Sequence, residues 1–297
     1  MSNIGKPTEL MSQKEMTTLF GGEPTLQKMP SDTSAAAANS AYSSGDADYR
    51  GVLIINADDW GRERETTDRI LDCIRCGAVS SASGMVFMED SERAACVARE
   101  RGIDIGLHLN FTTPFSSPAS SRRLTEHQQR LSRCLAWHRY SQVLFHPGLA
   151  ASFDYVIAAQ LDEFRRLYGT APERLDGHHH MHLCTNVLVG RLLPAGTIVR
   201  RSFSFRPGEK SRGNRLYRQC VDRVLAKRHR IVDYFFSLFP LVPVGRVQRM
   251  FSLARQFAVE VETHPANAAE YRFLRQGEIF RAAEDIQIAR RYGPLKA

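Results

Sequence analysis

The chain has 297 residues, of which 43% are hydrophobic and 24% charged, and its formal net charge at pH 7 is +8. A chain of this length and composition can bury a full core, as ordinary globular proteins do. No apolar run is long enough for a transmembrane helix, because the most apolar stretch, Tyr234 to Val244, is short and broken by two prolines. The six cysteines lack framework spacing, so we expect a reducing, cytoplasmic setting.

The first segment, Met1 to Asp48, predicts no fold. It lacks periodic apolar residues and ends in a tract rich in Ala, Ser, Gly and Asp, which is typical of a disordered leader. It also lacks the basic start and apolar run of a signal peptide. From Tyr49 the pattern changes to alternating strands and helices, which predicts a single α/β domain over residues 49–297.

The first predicted strand ends in two adjacent carboxylates, Asp58 and Asp59. The preceding run, Val52 to Ile55, is apolar throughout, as in a parallel strand that is buried on both faces. In α/β folds the ends of such strands carry the chemistry. Two adjacent acids repel each other, and a metal ion is the usual compensation, although a solvated acidic turn explains most isolated pairs.

A second strand, Ile103 to Asn110, alternates apolar and polar residues. Its polar face ends in His108 and Asn110, as expected for a barrel interior near an active site. The other predicted elements are helices at 66–76, 91–101, 126–138, 153–168 and 215–228, strands at 79–87, 197–205 and 257–265, and a loop at 112–123. In the last strand Glu260, Glu262 and His264 share one face.

Asp176 is followed by a dense histidine cluster that includes His178, His180 and His182. Such a cluster within a chain usually binds metal, and an Asp/His/His set with an open position suits Zn²⁺ or a harder divalent ion such as Mg²⁺. The site would lower the pKa of water towards neutrality, as amide hydrolysis requires. A second carboxylate could take the proton of the water, and a histidine opposite it could protonate the leaving amine.

Four motifs together resemble the YdjC-like carbohydrate deacetylases. In chain order they are Asn56 to Gly61, Gly106 to Asn110, Asp176 to His182, and Thr263 to Pro265. The resemblance implies a deformed (β/α) TIM-like barrel and a metal-dependent hydrolase that removes acetyl groups from N-acetylated sugars. It runs from about Arg50 to the C-terminus and omits the leader.

The resemblance also implies residue roles. One divalent metal ion, Mg²⁺ or Zn²⁺, would be held by Asp59, His108 and His178, with Asp58 as general base and His264 as general acid. Five further residues would contact substrate or support the ligands: Trp60, Asn110, Asp176, His180 and His182. Of these, Trp60 could stack on a sugar ring and Asp176 could fix a ligand tautomer. Trp60 stands where Phe is usual, and Ala266 stands where Gly is common.

The segment from Arg200 to Arg230 contains eleven Lys and Arg residues against two acids. It suits a phosphate, an anionic glycan or an anionic membrane surface, and it is equally compatible with a solvated helix face. We expect the substrate to be a chito-oligosaccharide or, given the basic segment, a phosphate- or lipid-linked glycan at the inner membrane face. No nucleic acid partner is expected, and the sequence is compatible with a homodimer. The alternative functions are a metal-dependent phosphoesterase and a non-catalytic barrel that binds glycan or anionic lipid.

Overall fold

Seven parallel strands form one curved sheet in the computed structural model, which describes residues 51–137 and 140–293. The predicted leader, Met1 to Asp48, lies outside these residues. The spatial order is β5-β4-β3-β2-β1-β7-β6. The strands are β1 (Val52–Trp60), β2 (Ser81–Gly84), β3 (Ile105–Leu109), β4 (Arg174–Gly177), β5 (Ile198–Val199), β6 (Tyr234–Ser237) and β7 (Ala258–Thr263). The sheet curls into a half-barrel, so the predicted deformed barrel is confirmed.

Helices surround the sheet in the described part of the chain. They are α1 (Arg64–Arg75), α2 (Ser91–Arg101), α3 (Arg122–Trp137), α4 (Ala150–Tyr168), α5 (Thr185–Gly190), α6 (Arg212–Ala226), α7 (Val244–Ser252), α8 (Ala268–Arg275) and α9 (Glu278–Ala283). Short 3-10 helices cover Pro147–Leu149, His178–Leu183 and Leu253–Arg255. None of the helices described is long and apolar enough to cross a bilayer.

Two predictions at the local level need correction. The predicted strand at 197–205 is a strand only at Ile198–Val199, because the chain then leaves the sheet edge and runs as a loop towards α6. The apolar stretch from Tyr234, which carried no strand prediction, supplies β6. It pairs with β7, and the fully buried side chain of Phe235 packs in a small core cluster with Ile54.

The interior of the half-barrel is polar in its lower part. An added Cβ at Gly106 would lie only 2.8 Å from Nε of Arg174, so the glycine leaves room for this arginine. Arg174 donates to Oδ1 of Asp104 (2.9 Å), and its guanidinium lies 4.5 Å from the ring centroid of Tyr292. The backbone N–H of Tyr292 donates to Oδ2 of Asp104 (2.8 Å). A segment late in the chain therefore closes the floor beneath the carboxyl ends of the strands.

Candidate active site

The two carboxylates at the end of β1 are both buried, Asp58 at 2% and Asp59 at 1% exposure. Asp59 has a positive φ of 70°, a left-handed conformation that is uncommon for a residue with a side chain. The pairing of β1 with β2 shifts register between Ala57 and Trp60, so the chain bulges at this point. The bulge turns the two neighbouring carboxylates towards different partners, although both remain inside the barrel end.

Asp59 meets His108 from the end of β3 and His178 from the end of β4. Oδ1 of Asp59 lies 3.0 Å from Nδ1 of His178 and 3.5 Å from Nε2 of His108. Oδ1 of Asp59 and Nε2 of His108 are buried, and neither makes a hydrogen bond among the described residues. Buried polar atoms without partners are rare and call for an explanation. One carboxylate oxygen and two imidazole nitrogens converging on one point fit a divalent metal ion.

His108 is oriented by Asp176. Nδ1 of His108 lies 2.8 Å from Oδ1 of Asp176, which leaves Nε2 directed at Asp59. A carboxylate behind a ligating imidazole is a common way to fix its tautomer. Although burial works against it, Asp176, Asp58 and Asp59 together raise the pKa of His108 to about 9. The cluster thus attracts positive charge, whether from a proton or from a metal ion.

His178 and Asp59 respond to the same surroundings in ways that suit ligands. Burial lowers the pKa of His178, which favours the neutral ring that a metal requires. Burial alone would raise the pKa of Asp59, but His178 and His108 hold it well below its usual value. Oδ2 of Asp59 accepts a hydrogen bond from Arg62 at 3.1 Å.

Asp58 is held by Arg200, the first residue of the basic segment. Arg200 donates from Nη1 to Oδ2 of Asp58 (2.6 Å) and from Nη2 to Oδ1 (2.8 Å). Asn56 donates to the same Oδ1 at 2.9 Å. This two-pronged contact fixes both oxygens of the carboxylate in one orientation. Sequence reasoning missed this role of Arg200, and the available signal was position, since Arg200 directly follows a strand that ends at the same barrel edge.

Arg200 is 1% exposed and contacts three more carboxylates. Nη2 lies 2.7 Å from Oδ2 of Asp176, Nε donates to Glu260 (2.8 Å), and Nη1 lies 3.5 Å from Glu262. Although burial alone would lower it, Asp176, Asp58 and Glu260 raise the pKa of Arg200 well above its usual value. The hydroxyl of Tyr292 donates to Oε2 of Glu260 at 2.7 Å. One guanidinium therefore joins the floor of the barrel to the end that carries the candidate site.

His264, at the end of β7, faces Asp58 across the site. Its Nε2 lies 3.9 Å from Oδ2 of Asp58, and its side chain is 18% exposed. Its backbone N–H donates to Glu270 (3.0 Å), which fixes the turn after the strand. Burial would lower the pKa of His264, but Glu262, Asp58 and Glu270 raise it. A protonated imidazole at the mouth of the site is able to donate a proton.

The histidine cluster is divided by a backbone kink. His179 and His180 both have positive φ, 54° and 57°, and this turn sends consecutive rings in different directions. His178 points to Asp59, whereas Nε2 of His180 lies 3.5 Å from Glu262 near the mouth. The ring of His182 is buried, and its Nε2 lies 2.9 Å from the carbonyl oxygen of Arg200. Burial lowers the pKa of this ring to about 3, so His182 supports the backbone at Arg200 as a neutral imidazole.

Trp60 and Asn110, two of the five residues expected to contact substrate or support the ligands, are fully buried. Trp60 is 0% exposed and packs in the core with Ala94, so its ring does not face a sugar as expected. Asn110 is buried, and its Oδ1 accepts from Thr113 N (2.9 Å) while its Nδ2 donates to Thr113 O (2.7 Å). Asn110 shapes the loop after β3. In both cases the motif lies at a strand end, but the side chain turns into the protein.

A family model described as YdjC-like protein matches residues 52–290 of the chain. The chain is 27% identical over 241 residues to a carbohydrate deacetylase of Vibrio parahaemolyticus, covering 80% of this chain and 86% of that protein. It is 31% identical over 132 residues to a chitooligosaccharide deacetylase of Proteus mirabilis, covering 44% and 50%. The chain thus spans about half the length of several of the curated relatives that it matches.

The fold has a counterpart among solved structures. A putative cellobiose-phosphate cleavage protein of Enterococcus faecalis superposes with a TM-score of 0.57 at 18% identity, covering 81% of this chain and 97% of that one. This likeness supports the architecture of the sheet and its helices. Because the family model spans far more than half of the sequence, the chain belongs to the YdjC-like family.

Proposed function

We propose that this protein is a metal-dependent hydrolase that removes N-acetyl groups from a saccharide of the N-acetylglucosamine type. The observation that carries the proposal is the convergence of Asp59, His108 and His178 on one buried point, directly beside the separately held carboxylate of Asp58. The names of the relatives, carbohydrate deacetylase and chitooligosaccharide deacetylase, support the same chemistry.

Asp59, His108 and His178 would hold the metal ion. When bound, the ion would polarise the amide carbonyl and lower the pKa of water. Two imidazoles and one carboxylate favour Zn²⁺ over Mg²⁺, which prefers oxygen ligands. Asp176 would keep His108 in the ligating tautomer.

The remaining residues of the site would move protons. Asp58, oriented by Arg200, would accept a proton from the attacking water. His264, on the other side of the site and with a raised pKa, would donate a proton to the leaving amine. His180 lies near the mouth, where it would contact the sugar. The divided surroundings of the two β1 carboxylates thus match the divided roles that hydrolysis needs.

The identity of the sugar rests on the surroundings of the mouth. A chito-oligosaccharide agrees with the names of the relatives. A phosphate- or lipid-linked glycan agrees with the basic segment, which begins beside the site at residue 200. Whether two copies of the chain associate is a separate proposal, which sedimentation of the purified protein tests.

A two-metal phosphoesterase has less support. The second group of metal-ligand type contains Asp58, His108 and Asp176. Both of its carboxylates are already bound by Arg200. A second cation there would have to displace the guanidinium, which is unfavourable for a buried group.

Acetate release from N-acetylglucosamine oligosaccharides tests the proposal. We expect Zn²⁺-dependent release that a chelator abolishes. Asp58→Asn should lower kcat by about 10²- to 10⁴-fold while metal stoichiometry is retained. Asp90→Asn, which alters a buried acid paired with Arg93 away from the site, is the matched control. Full activity in Asp58→Asn would refute the assignment of the base, and phosphate release with two ions bound per chain would favour the phosphoesterase.

A further inference from the structure

The loop before α4 and the outer face of α6 expose several large apolar side chains. Leu144 and Leu216 are each 58% exposed, and Val224 is 47% exposed. Six of these side chains form the apolar part of the surface: Val143, Leu144, Phe145, Leu216, Tyr217 and Val224. Single exposed apolar residues are ordinary, but two groups on neighbouring elements are the signature of an interaction surface.

The two groups belong to one continuous surface. Thr185, the first residue of α5, donates from its backbone N–H to Gln142 O (2.9 Å) and from its hydroxyl to Val143 O (2.6 Å). Cys184, the preceding residue, is buried in the same core cluster as Val221 and Leu225 of α6. The start of α5 therefore connects the exposed loop to the exposed helix face.

The surface is strongly cationic. Arg130 and Arg133 line a groove of about 680 Å³ together with His146 and Leu149. The exposed face of α6 and its end add Arg212, Arg223 and Lys227, and no ion pair involves these three among the described residues. Between residues 206 and 228 the sequence has only two acids, Glu209 and Asp222. Asp222 is buried and bound by Arg201 at 2.7 Å, so it does not neutralise the outer face.

The surface also borders the mouth of the candidate site. Cys184 directly follows the 3-10 helix His178–Leu183. On the other side, the Arg218 guanidinium lies 5.0 Å from the ring centroid of Phe205 and 6.0 Å from that of Phe203. The ring centroid of Phe203 lies 4.5 Å from that of His180. A partner that covers this surface would therefore lie next to the opening.

We propose that this surface docks the protein on an anionic lipid bilayer. The docking face consists of the six apolar side chains named above with Arg130, Arg133, Arg212, Arg223 and Lys227. Apolar side chains flanked by unpaired cations fit a layer of anionic headgroups above hydrocarbon, whereas a second copy of the chain would bring cations against cations. Docking of this kind would present the open end of the barrel to a saccharide carried by a lipid.

Vesicle co-sedimentation tests the docking face. The full chain should bind phosphatidylcholine vesicles that contain phosphatidylglycerol, bind pure phosphatidylcholine vesicles far more weakly, and lose affinity as salt rises. Two double variants, Leu144→Asn with Phe145→Asn and Arg212→Gln with Arg223→Gln, should each weaken partitioning by about tenfold or more. Matched controls with little effect are Phe280→Asn on α9, and Arg99→Gln with Arg101→Gln on α2.

Each outcome decides the proposal, provided that thermal unfolding shows all variants to be folded. No binding to anionic vesicles would overturn it. Equal losses in the control and face variants would also overturn it, because binding would then follow net charge alone. The proposal fails too if only the arginine pair matters, or if Leu144→Asn with Phe145→Asn dissolves a dimer without changing vesicle binding. Acetate release is not a readout here, so failure of the proposed deacetylation would leave this test intact.

Discussion

Asp58 and Asp59 are adjacent in the chain and have opposite surroundings. Asp58 has both oxygens bound by Arg200 and a third contact from Asn56. Asp59 has one oxygen that is buried without a hydrogen bond and faces two ring nitrogens. The protein therefore binds both oxygens of the first carboxylate with one guanidinium, whereas Arg62 reaches only Oδ2 of the second and leaves its Oδ1 facing the two imidazoles.

Because of this difference, Asp58 and Asp59 should contribute to different properties, the stability of the fold and the binding of a metal ion. A carboxylate that is paired inside the fold contributes to the folded state, and removal of its partner leaves a buried charge uncompensated. A carboxylate oxygen that would ligate a metal ion contributes to the free energy of metal binding. Substitutions around Asp58 should thus change mainly the free energy of unfolding, whereas substitutions around Asp59 should change mainly the metal affinity.

The largest effect on stability should come from Arg200→Met. The change leaves Asp58, Asp176 and Glu260 without their buried cation, so we expect a loss of about 3–5 kcal/mol in the free energy of unfolding. Denaturant unfolding measures it. Arg93→Met removes a two-pronged contact to Asp90 that is nearer the surface, and it should cost clearly less. Equal losses in the two variants would mean that the buried network has no special role.

Asp59→Asn should give the opposite pattern. We expect loss of tight metal binding and a fall in activity on the order of 10³-fold, because the substitution removes the anionic ligand. The metal-free protein should lose less stability than Arg200→Met does, since Asp59 is paired with one part-exposed guanidinium, that of Arg62, and its Oδ1 makes no hydrogen bond among the described residues. Calorimetric titration with Zn²⁺ and denaturant unfolding without metal measure the two quantities. A loss of stability in the metal-free protein as large as that of Arg200→Met would contradict the comparison.

Asp176 contacts both a candidate metal ligand, His108, and the buried cation, Arg200. Asp176→Asn should weaken metal affinity by about 10- to 100-fold through the orientation of His108. Ser83→Ala is a matched control, because it removes a hydroxyl donor to the other oxygen of Asp176 (2.6 Å) and leaves the contact to His108 in place. Metal affinity that is the same in wild type and Asp176→Asn would show that His108 needs no such support.

A smaller effect is expected at the floor of the barrel. Tyr292→Phe removes the hydroxyl that donates to buried Glu260, so we expect a loss of about 1–2 kcal/mol in the free energy of unfolding. Tyr271→Phe removes a hydroxyl contact to Asp72 at a less buried place and should cost less. If Tyr292→Phe lowered the free energy of metal binding as much as the free energy of unfolding, the floor of the barrel would affect metal binding as well as stability, which would contradict the comparison.

The smallest effect should appear in the pH dependence of stability. The pKa of His264 is raised in the folded protein, so its protonated ring contributes stability that is fully present below the unfolded pKa and is lost as pH rises through the folded pKa. His264→Gln should remove that contribution, so the variant should be less stable than wild type at acidic pH, and the difference should shrink as pH rises through the folded pKa of His264. Unfolding measured at a series of pH values, with wild type as reference, detects it. A steeper dependence in the variant would reverse the sign.

The sequence predicted the features that depend on strand ends. Asp59, His108 and His178 follow separate strands, and parallel strands bring their carboxyl ends together, so their meeting follows from the alternation of elements. The shared face of Glu260, Glu262 and His264 also follows from strand periodicity. The curved sheet was expected from the resemblance rather than from periodicity.

The features that the sequence did not predict depend on the direction of side chains at or just after the end of a strand. Arg200 looked like one more cation of a basic segment, and its residue type did not distinguish it from the exposed cations that follow; the available signal was its position directly after a strand. Trp60 and Asn110 occupy motif positions, yet the bulge at Asp59 and the loop after β3 direct them into the protein. Positive φ at Asp59, His179 and His180 has only a weak signal in residue type, because Asp and His adopt it more often than most side chains but far less often than glycine.

The closure of the floor by Tyr292 bears on the order in which the site can form. Asp58 emerges early during synthesis, Arg200 is separated from it by 142 positions, and the hydroxyl that completes the network arrives only at residue 292. Contacts between such distant parts of a chain form slowly. The interior of the candidate site should therefore become rigid after the outer helices have packed. A folding chain would hold a partly assembled site until Tyr292 packs beneath the barrel.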